Sequence, residues 1–341
     1  MKIKFTVIIF LFILTIGCQK SKPKFTEPAF YFWKSTFKLS EIERKTFQHN
    51  HIEKLYVKFF DVSWNPQKRN PQFIAPIQFA ENPPDSCQVV PVVFITNQTF
   101  LNLPESEIDT LAKVVFEKIS KMSKAKIQEI QMDCDWTIST KHKYFRFLKA
   151  LRKNNIILSA TIRLHQVKFF EKTGVPPVDR GMLMCYNMSD WRNPETQNSI
   201  YSNQVLKQYI QRLEQYPKPL DVVMPIFHWT VIFRNNQFLF FINNLGSDEL
   251  KNNINFIQLS KNQLFEVKND ATFNNFSVRK GDIFRCEDSN FEEVLKGSKL
   301  ILDKISNEKL TFALYHLDEK SLTTYSNDQI NKLLHLNETL R

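Results

Sequence analysis

Apolar and polar positions alternate along this chain in short blocks separated by stretches of helical period. Apolar runs occur at 29–33 (AFYFW), 54–64, 88–97, 127–137, 156–166, 180–188, 220–229 and 310–318. Each is short, rich in β-branched and aromatic residues, and reads as a strand. Between them, helical spacing fits 104–123, with Pro104 and acids in its first turn, then 140–154, 203–215, 290–306 and 326–336. Eight strands alternating with helices predict an α/β fold, a (β/α)8 TIM-type barrel. The stretch 235–289 breaks the rhythm with short β-like runs such as QFLFFI, and predicts a small β-rich insertion after strand seven. The alternative, an open doubly wound sheet, needs a Gly-rich first turn for its usual ligands, and none is present.

Two of the strands have an unusual face. In 127–137 (IQEIQMDCDWT), Ile130, Met132, Cys134 and Trp136 share one side, and Gln131, Asp133, Asp135 and Thr137 the other. In 156–166, Ser159, Thr161, Arg163 and His165 alternate with Ala160, Ile162, Leu164 and Gln166. Consecutive βαβ strands pair as neighbours. The apolar sets then face the helices and the polar sets face the barrel interior. Buried carboxylates need partners or water, so Arg163 is the expected counter-charge for Asp133 or Asp135. A buried ion-pair plug without chemistry is the plain alternative. Other strand ends add Asp61, Tyr186, Asn187, His228, Trp229, His316 and Asp318. Together these make an acid-, amide- and aromatic-rich mouth that suits sugars, whose C–H faces stack on rings and whose hydroxyls bind carboxylates and amides.

Composition narrows the function classes. Of 341 residues, 43% are hydrophobic, enough for a large core, and the net charge is +11. The lysines are scattered without an Arg-rich run, which argues against nucleic acid. With only six glycines there is no phosphate loop, so no nucleotide partner is expected. The cysteines show neither C-x-x-C nor zinc spacing, so neither metal nor cofactor is expected.

The N-terminus carries Lys2 and Lys4, an apolar run from Phe5 to Ile16, then Gly17–Cys18 and the polar QKSKPK. The run is too short to span a bilayer and has the layout of a secretory signal. Gly17–Cys18 resembles the lipobox of bacterial lipoproteins, with Thr15 where the commonest lipoboxes have Leu. That resemblance implies a signal over 1–17, acylation of Cys18 and a tether over 18–27. The barrel domain then occupies 28–341, at the bacterial cell envelope on an outer membrane. An ordinary cleaved signal or a membrane-spanning anchor is the alternative.

Asp133, Asp135 and Trp136 in MDCDWT also resemble the strand-four signature of family-18 chitinases, D-x-x-D-x-D-W-E. Thr137 stands where that family carries its catalytic Glu, and Ile130 where it carries the first Asp. LMCYNM resembles the family's M-x-Y-D, with Asn187 in place of Asp. The resemblance implies a TIM barrel acting on glycans, with Asp133 and Asp135 as the acidic pair. Asp61, Arg163, His165, Tyr186, Asn187, Trp229 and His316 are then substrate-binding candidates. The chain as a whole resembles lipoproteins of Bacteroidetes-type bacteria. Two functions follow: a glycoside-hydrolase-like enzyme, or an inactive barrel that binds a glycan or protein at the envelope. A purely structural envelope protein does not account for the polar inner faces.

Overall fold

A computed structural model describes residues 24–259 and 263–336. The expected signal and Cys18 lie outside the described residues, as does most of the expected tether. Eight parallel strands close on themselves: β1 (Phe25–Phe32), β2 (Lys54–Asn65), β3 (Gln88–Ile95), β4 (Glu129–Asp133), β5 (Ile157–Arg163), β6 (Arg180–Met184), β7 (Leu220–Pro225) and β8 (Lys309–Tyr315). They pair in chain order, and β1 bonds both β2 and β8. This is the expected (β/α)8 barrel. The helices fall where their periodicity places them, including Ile108–Met122, Lys141–Leu151 and Phe291–Lys304. Their apolar stripes cover the outward strand residues Ile130, Met132, Ala160 and Ile162, all buried. Cys134 and Trp136 are buried too, so the apolar face of 127–137 lies in the core as expected. No helix among the described residues is long and apolar enough to cross a membrane.

Several boundaries differ from the expectation. β4 ends at Asp133, so Asp135 and Thr137 lie in the loop beyond it. β5 ends at Arg163, and His165 sits on a short helix, Leu164–Lys168, where the Gln166 side chain accepts the Arg163 N–H. β7 ends at Pro225, and Trp229 instead opens the inserted lobe. The lobe therefore starts at 229 rather than 235. Its core is a five-stranded antiparallel sheet that ends at Glu287. Asp61 is not a strand end, because β2 continues to Asn65 and folds back as a hairpin with Asn70–Ile74. The helix Glu41–His49 was not predicted, although its capping box is explicit: Glu43 N–H donates to Ser40 Oγ, and Ser40 N–H to Glu43 Oε2.

The closed barrel must fill its interior with side chains, and here many are polar. At the strand starts, Lys54 Nζ lies 2.8 Å from Glu27, 3.7 Å from Glu129 and 3.2 Å from Thr311 Oγ1. Arg180 donates two bonds to Asp221, of 2.6 and 2.5 Å, and Asp221 accepts the Thr311 N–H at 2.6 Å. One tier higher, Tyr31 donates to Gln131, which donates to Ser159, which donates to Glu129. Tyr31 stacks on Tyr56 with centroids 4.9 Å apart. Burial raises the Glu129 pKa against the opposing charge of Lys54.

Removal of one member of such a buried pair leaves the other unpaired. Arg180→Ala strands Asp221, whose side chain is 1% exposed, and should destabilise the fold by about 3–5 kcal/mol in urea titrations. Arg146→Ala breaks a pair with Asp109 in which both side chains are about half exposed, and should cost less than about 1 kcal/mol.

Candidate functional site

The polar ladder inside the barrel reaches solvent at the strands' C-terminal ends. Asp133 ends β4 at 8% exposure, and Thr161 of β5 donates to its Oδ1 at 2.7 Å. Burial first, and then the nearby charge of Asp135, pushes the Asp133 carboxyl up to about 6. Thr161 and Arg163 pull in the opposite direction. Asp135 stands just outside, half exposed, and takes two bonds from Arg163, at 2.6 and 2.8 Å. This corrects the expected arrangement. Arg163 holds Asp135 in the open mouth and not inside the barrel, and Asp133 is held by a hydroxyl.

Aromatic rings wall the mouth. Tyr186, in the segment after β6, stacks on Tyr315 with centroids 4.8 Å apart. Phe227 meets both edge-on, at 5.9 and 5.7 Å. Trp33 lies 5.9 Å from Tyr315, and Lys58 Nζ lies 5.6 Å from the Trp33 ring. Lys58 also holds Asp61 at 2.9 Å. Tyr186 and Tyr315 both feel the charges of Asp133 and Arg163.

Several polar atoms on β2 and just after β6, β7 and β8 are buried without a partner, among them Asp61 Oδ1, Asn187 Oδ1, His228 Nδ1 and His316 Nδ1. Asn187 adopts φ +51°, a left-handed conformation that asparagine tolerates better than most side chains. His316 follows β8, and burial holds its imidazole down to about 4, so it is neutral near neutral pH. Orphaned buried polar atoms are uncommon in proteins and call for a specific reason.

A second buried network fixes the mouth's upper wall. Arg285 Nε donates to Glu287 Oε1 at 2.7 Å, and its other nitrogens donate to the carbonyls of Trp191, Asn193 and Pro194. Glu287 also accepts from Trp229 Nε1 at 2.7 Å and from the Ser199 N–H at 3.0 Å. This clamp binds the long segment after β6 to the lobe. Trp229 is thereby buried at 8%, with its N–H already used. It supports the wall and does not present an open face, contrary to its assignment as a substrate-binding ring.

The structure thus gathers Asp133, Asp135, Arg163 and Tyr186 at one mouth; Asn187 and His316 follow the ends of β6 and β8 there, and Asp61 lies within β2. His165 is exposed on its helix. Sequence reasoning missed Tyr315, Trp33 and Lys58, and the Arg285–Glu287 clamp. Alternation of Thr311, Ala313 and Tyr315 was a usable signal for Tyr315. Nothing local marked the clamp, whose partners lie about ninety residues apart. No group of three or more His, Cys, Asp or Glu among the described residues is arranged to hold a metal.

No protein family and no curated protein matches the chain by sequence. Solved structures do match by fold. The Bacillus cereus spore cortex-lytic enzyme SleL superposes with a TM-score of 0.54 at 14% identity, covering 93% of this chain and 75% of that one. A chitinase from Chromobacterium violaceum gives 0.52 at 8% identity, covering 91% and 99%. A chitinase from Bacteroides thetaiotaomicron gives 0.50 at 10% identity, covering 91% and 96%. The fold is therefore a closed eight-stranded parallel barrel, similar to that of these three solved structures.

Asp133 binds its proton more tightly folded than unfolded. Stability should accordingly fall as pH rises from about 4 to about 6. Asp133→Asn keeps an acceptor for Thr161 and removes this dependence. The variant should match the wild type at pH 4 and exceed it at pH 7 by on the order of 1–3 kcal/mol in urea midpoints.

Proposed function

We propose that this protein is a lipid-anchored envelope protein whose barrel binds a glycan at the mouth around Asp133, Asp135 and Arg163, without chitinase-type hydrolysis. The observation that carries the reading is the solvent-reached Asp135–Arg163 pair, beside a buried carboxyl and stacked tyrosines. Such a pair offers donors and acceptors to sugar hydroxyls, and the rings offer apolar faces. The unpartnered atoms of Asp61, Asn187 and His316 are further hydrogen-bonding positions that a ligand's hydroxyls could fill. Barrel ligands bind at this end of the strands, although the fold alone assigns no chemistry.

The absence of hydrolysis rests on Thr137. Chitinase-type cleavage needs an acid that protonates the leaving oxygen. Thr137, at that position of the signature, is a hydroxyl that shares hydrogen bonds with Ser139 and Thr140. One observation favours a second reading, hydrolysis with Asp133 as the acid: its carboxyl, pushed up to about 6, keeps its proton to a higher pH than an ordinary carboxylate.

A glycan array that includes N-acetylated oligosaccharides tests both readings. The wild type should bind one glycan class and release no reducing ends. Asp135→Asn should weaken that binding, with its unfolding midpoint kept. Release of reducing ends that Asp133→Asn abolishes would establish the second reading in place of the first.

Anchoring is supported by the charged start, the short apolar run and the Gly17–Cys18 junction. Several acyl chains on one cysteine give durable attachment where a single chain does not. Labelled fatty acid should enter the wild type and not Cys18→Ala. Equal labelling of the two would overturn the anchor.

A further inference from the structure

The eight barrel strands are parallel, so all of them start on one face. β1 starts at Phe25, seven positions after Cys18. Seven extended residues reach about 25 Å at most. An acyl anchor at Cys18 therefore keeps this face close to the bilayer. The chain is pinned where it joins the face: Lys24 Nζ donates to the Ile305 and Asn307 carbonyls at 2.6 and 3.1 Å, and Phe25 N–H to Glu308 at 2.8 Å.

The opposite rim of the same face is formed by the loops leading into β4 and β5, since β5 lies across the barrel from β1. These loops, 123–128 and 152–156, carry Lys124, Lys126, Arg152 and Lys153, all exposed, and no acid. Arg152 is paired with Asp179. Lys124 donates to a neutral amide, Asn82 Oδ1, at 2.7 Å and lies 5.6 Å from the Phe79 ring, and Lys153 lies 5.2 Å from the Phe116 ring, so the contacts of both are with neutral groups. The acids Glu53, Asp85 and Glu308 stand in the loops into β2, β3 and β8, and Lys218 is the cation of the loop into β7, so the densest group of cations on this face is in the loops into β4 and β5. Between the rims, Phe25 and Ile157 are 56% and 42% exposed at their strand starts. Both border the hollow of about 320 Å³ that ends the barrel on this side.

We infer that this N-terminal face docks on an anionic lipid bilayer. The tether holds one rim, and Lys124, Lys126 and Lys153 hold the other by pairing with headgroup phosphates. Phe25 and Ile157 enter the interface between them. A tether at one rim alone leaves the barrel free to tilt. Cations on the far rim lay it flat, because basic side chains are attracted to an anionic surface within a Debye length. The mouth around Asp133 then points away from the membrane, toward ligands in the aqueous space. This inference rests on the Cys18 anchor proposed above and adds the orientation and the lipid charge.

The test uses the acylated full-length mature chain in phosphatidylcholine vesicles with and without phosphatidylglycerol, read by amide hydrogen exchange. Exchange in 123–128 and 152–156 should slow only with phosphatidylglycerol, and the protection should be lost at high salt. It should also be lost in Lys124→Glu/Lys126→Glu/Lys153→Glu, with the unfolding midpoint unchanged. Equal exchange in the two vesicle types overturns docking while leaving the anchor intact. Equal protection by a soluble DNA duplex at the same phosphate concentration overturns the bilayer assignment. The mass of the N-terminal peptide from the same sample reads the anchor separately, and an unmodified Cys18 overturns both.

Discussion

Closure of the barrel is the constraint on which the rest of this structure depends. Eight strands in a ring enclose a space that side chains must fill, and a charge placed there loses its water at a cost of several kcal/mol. This chain places Lys54, Glu129 and Asp221 inside, all 8% exposed or less. Each is retained because another strand supplies its partner. Lys54 of β2 lies between Glu27 of β1 and Glu129 of β4, and Asp221 of β7 is held by Arg180 of β6. The pairs link strands that are distant in sequence, so the interior also keeps the strands in register.

The mouth is the upper end of that interior. Going up β4, the environment changes from the fully buried Glu129 and Gln131, through the nearly buried Asp133, to the half-exposed Asp135. The partners change with it. Low in the barrel the acids are met by cations and hydroxyls. At Asp133 only a threonine hydroxyl remains within bonding distance, and desolvation raises the pKa. At Asp135 water and a two-bond arginine are both available. The end of β4 and the loop after it thus present, 2 residues apart, a buried carboxyl whose pKa is raised and an exposed one paired with arginine.

The inserted lobe belongs to the same arrangement. Its Arg285 and Glu287 are buried and use their bonds on the segment after β6, on Ser199 and on Trp229. A buried pair of this kind specifies one arrangement of its surroundings. Here it fixes the wall that continues from Tyr186 through Phe227 to Trp229.

The sequence by itself determined the eight strands, the main helices and the barrel. These follow from local periodicity, and period-2 and period-3.6 patterns are written into neighbouring residues. It also identified the polar faces of β4 and β5, because alternation alone separates Asp133 from Met132 and Thr161 from Ile162. Only the tertiary structure decided where those faces stop. β4 ends at Asp133 and β5 at Arg163, which moved Asp135 into the open and His165 onto a helix. It alone revealed that Arg163 serves Asp135, that Trp229 is a buried support, and that Arg285 and Glu287 hold the lobe in place. Those outcomes depend on which groups meet across the ring and how much water reaches them. Closure fixes both, by bringing together residues that no local pattern relates.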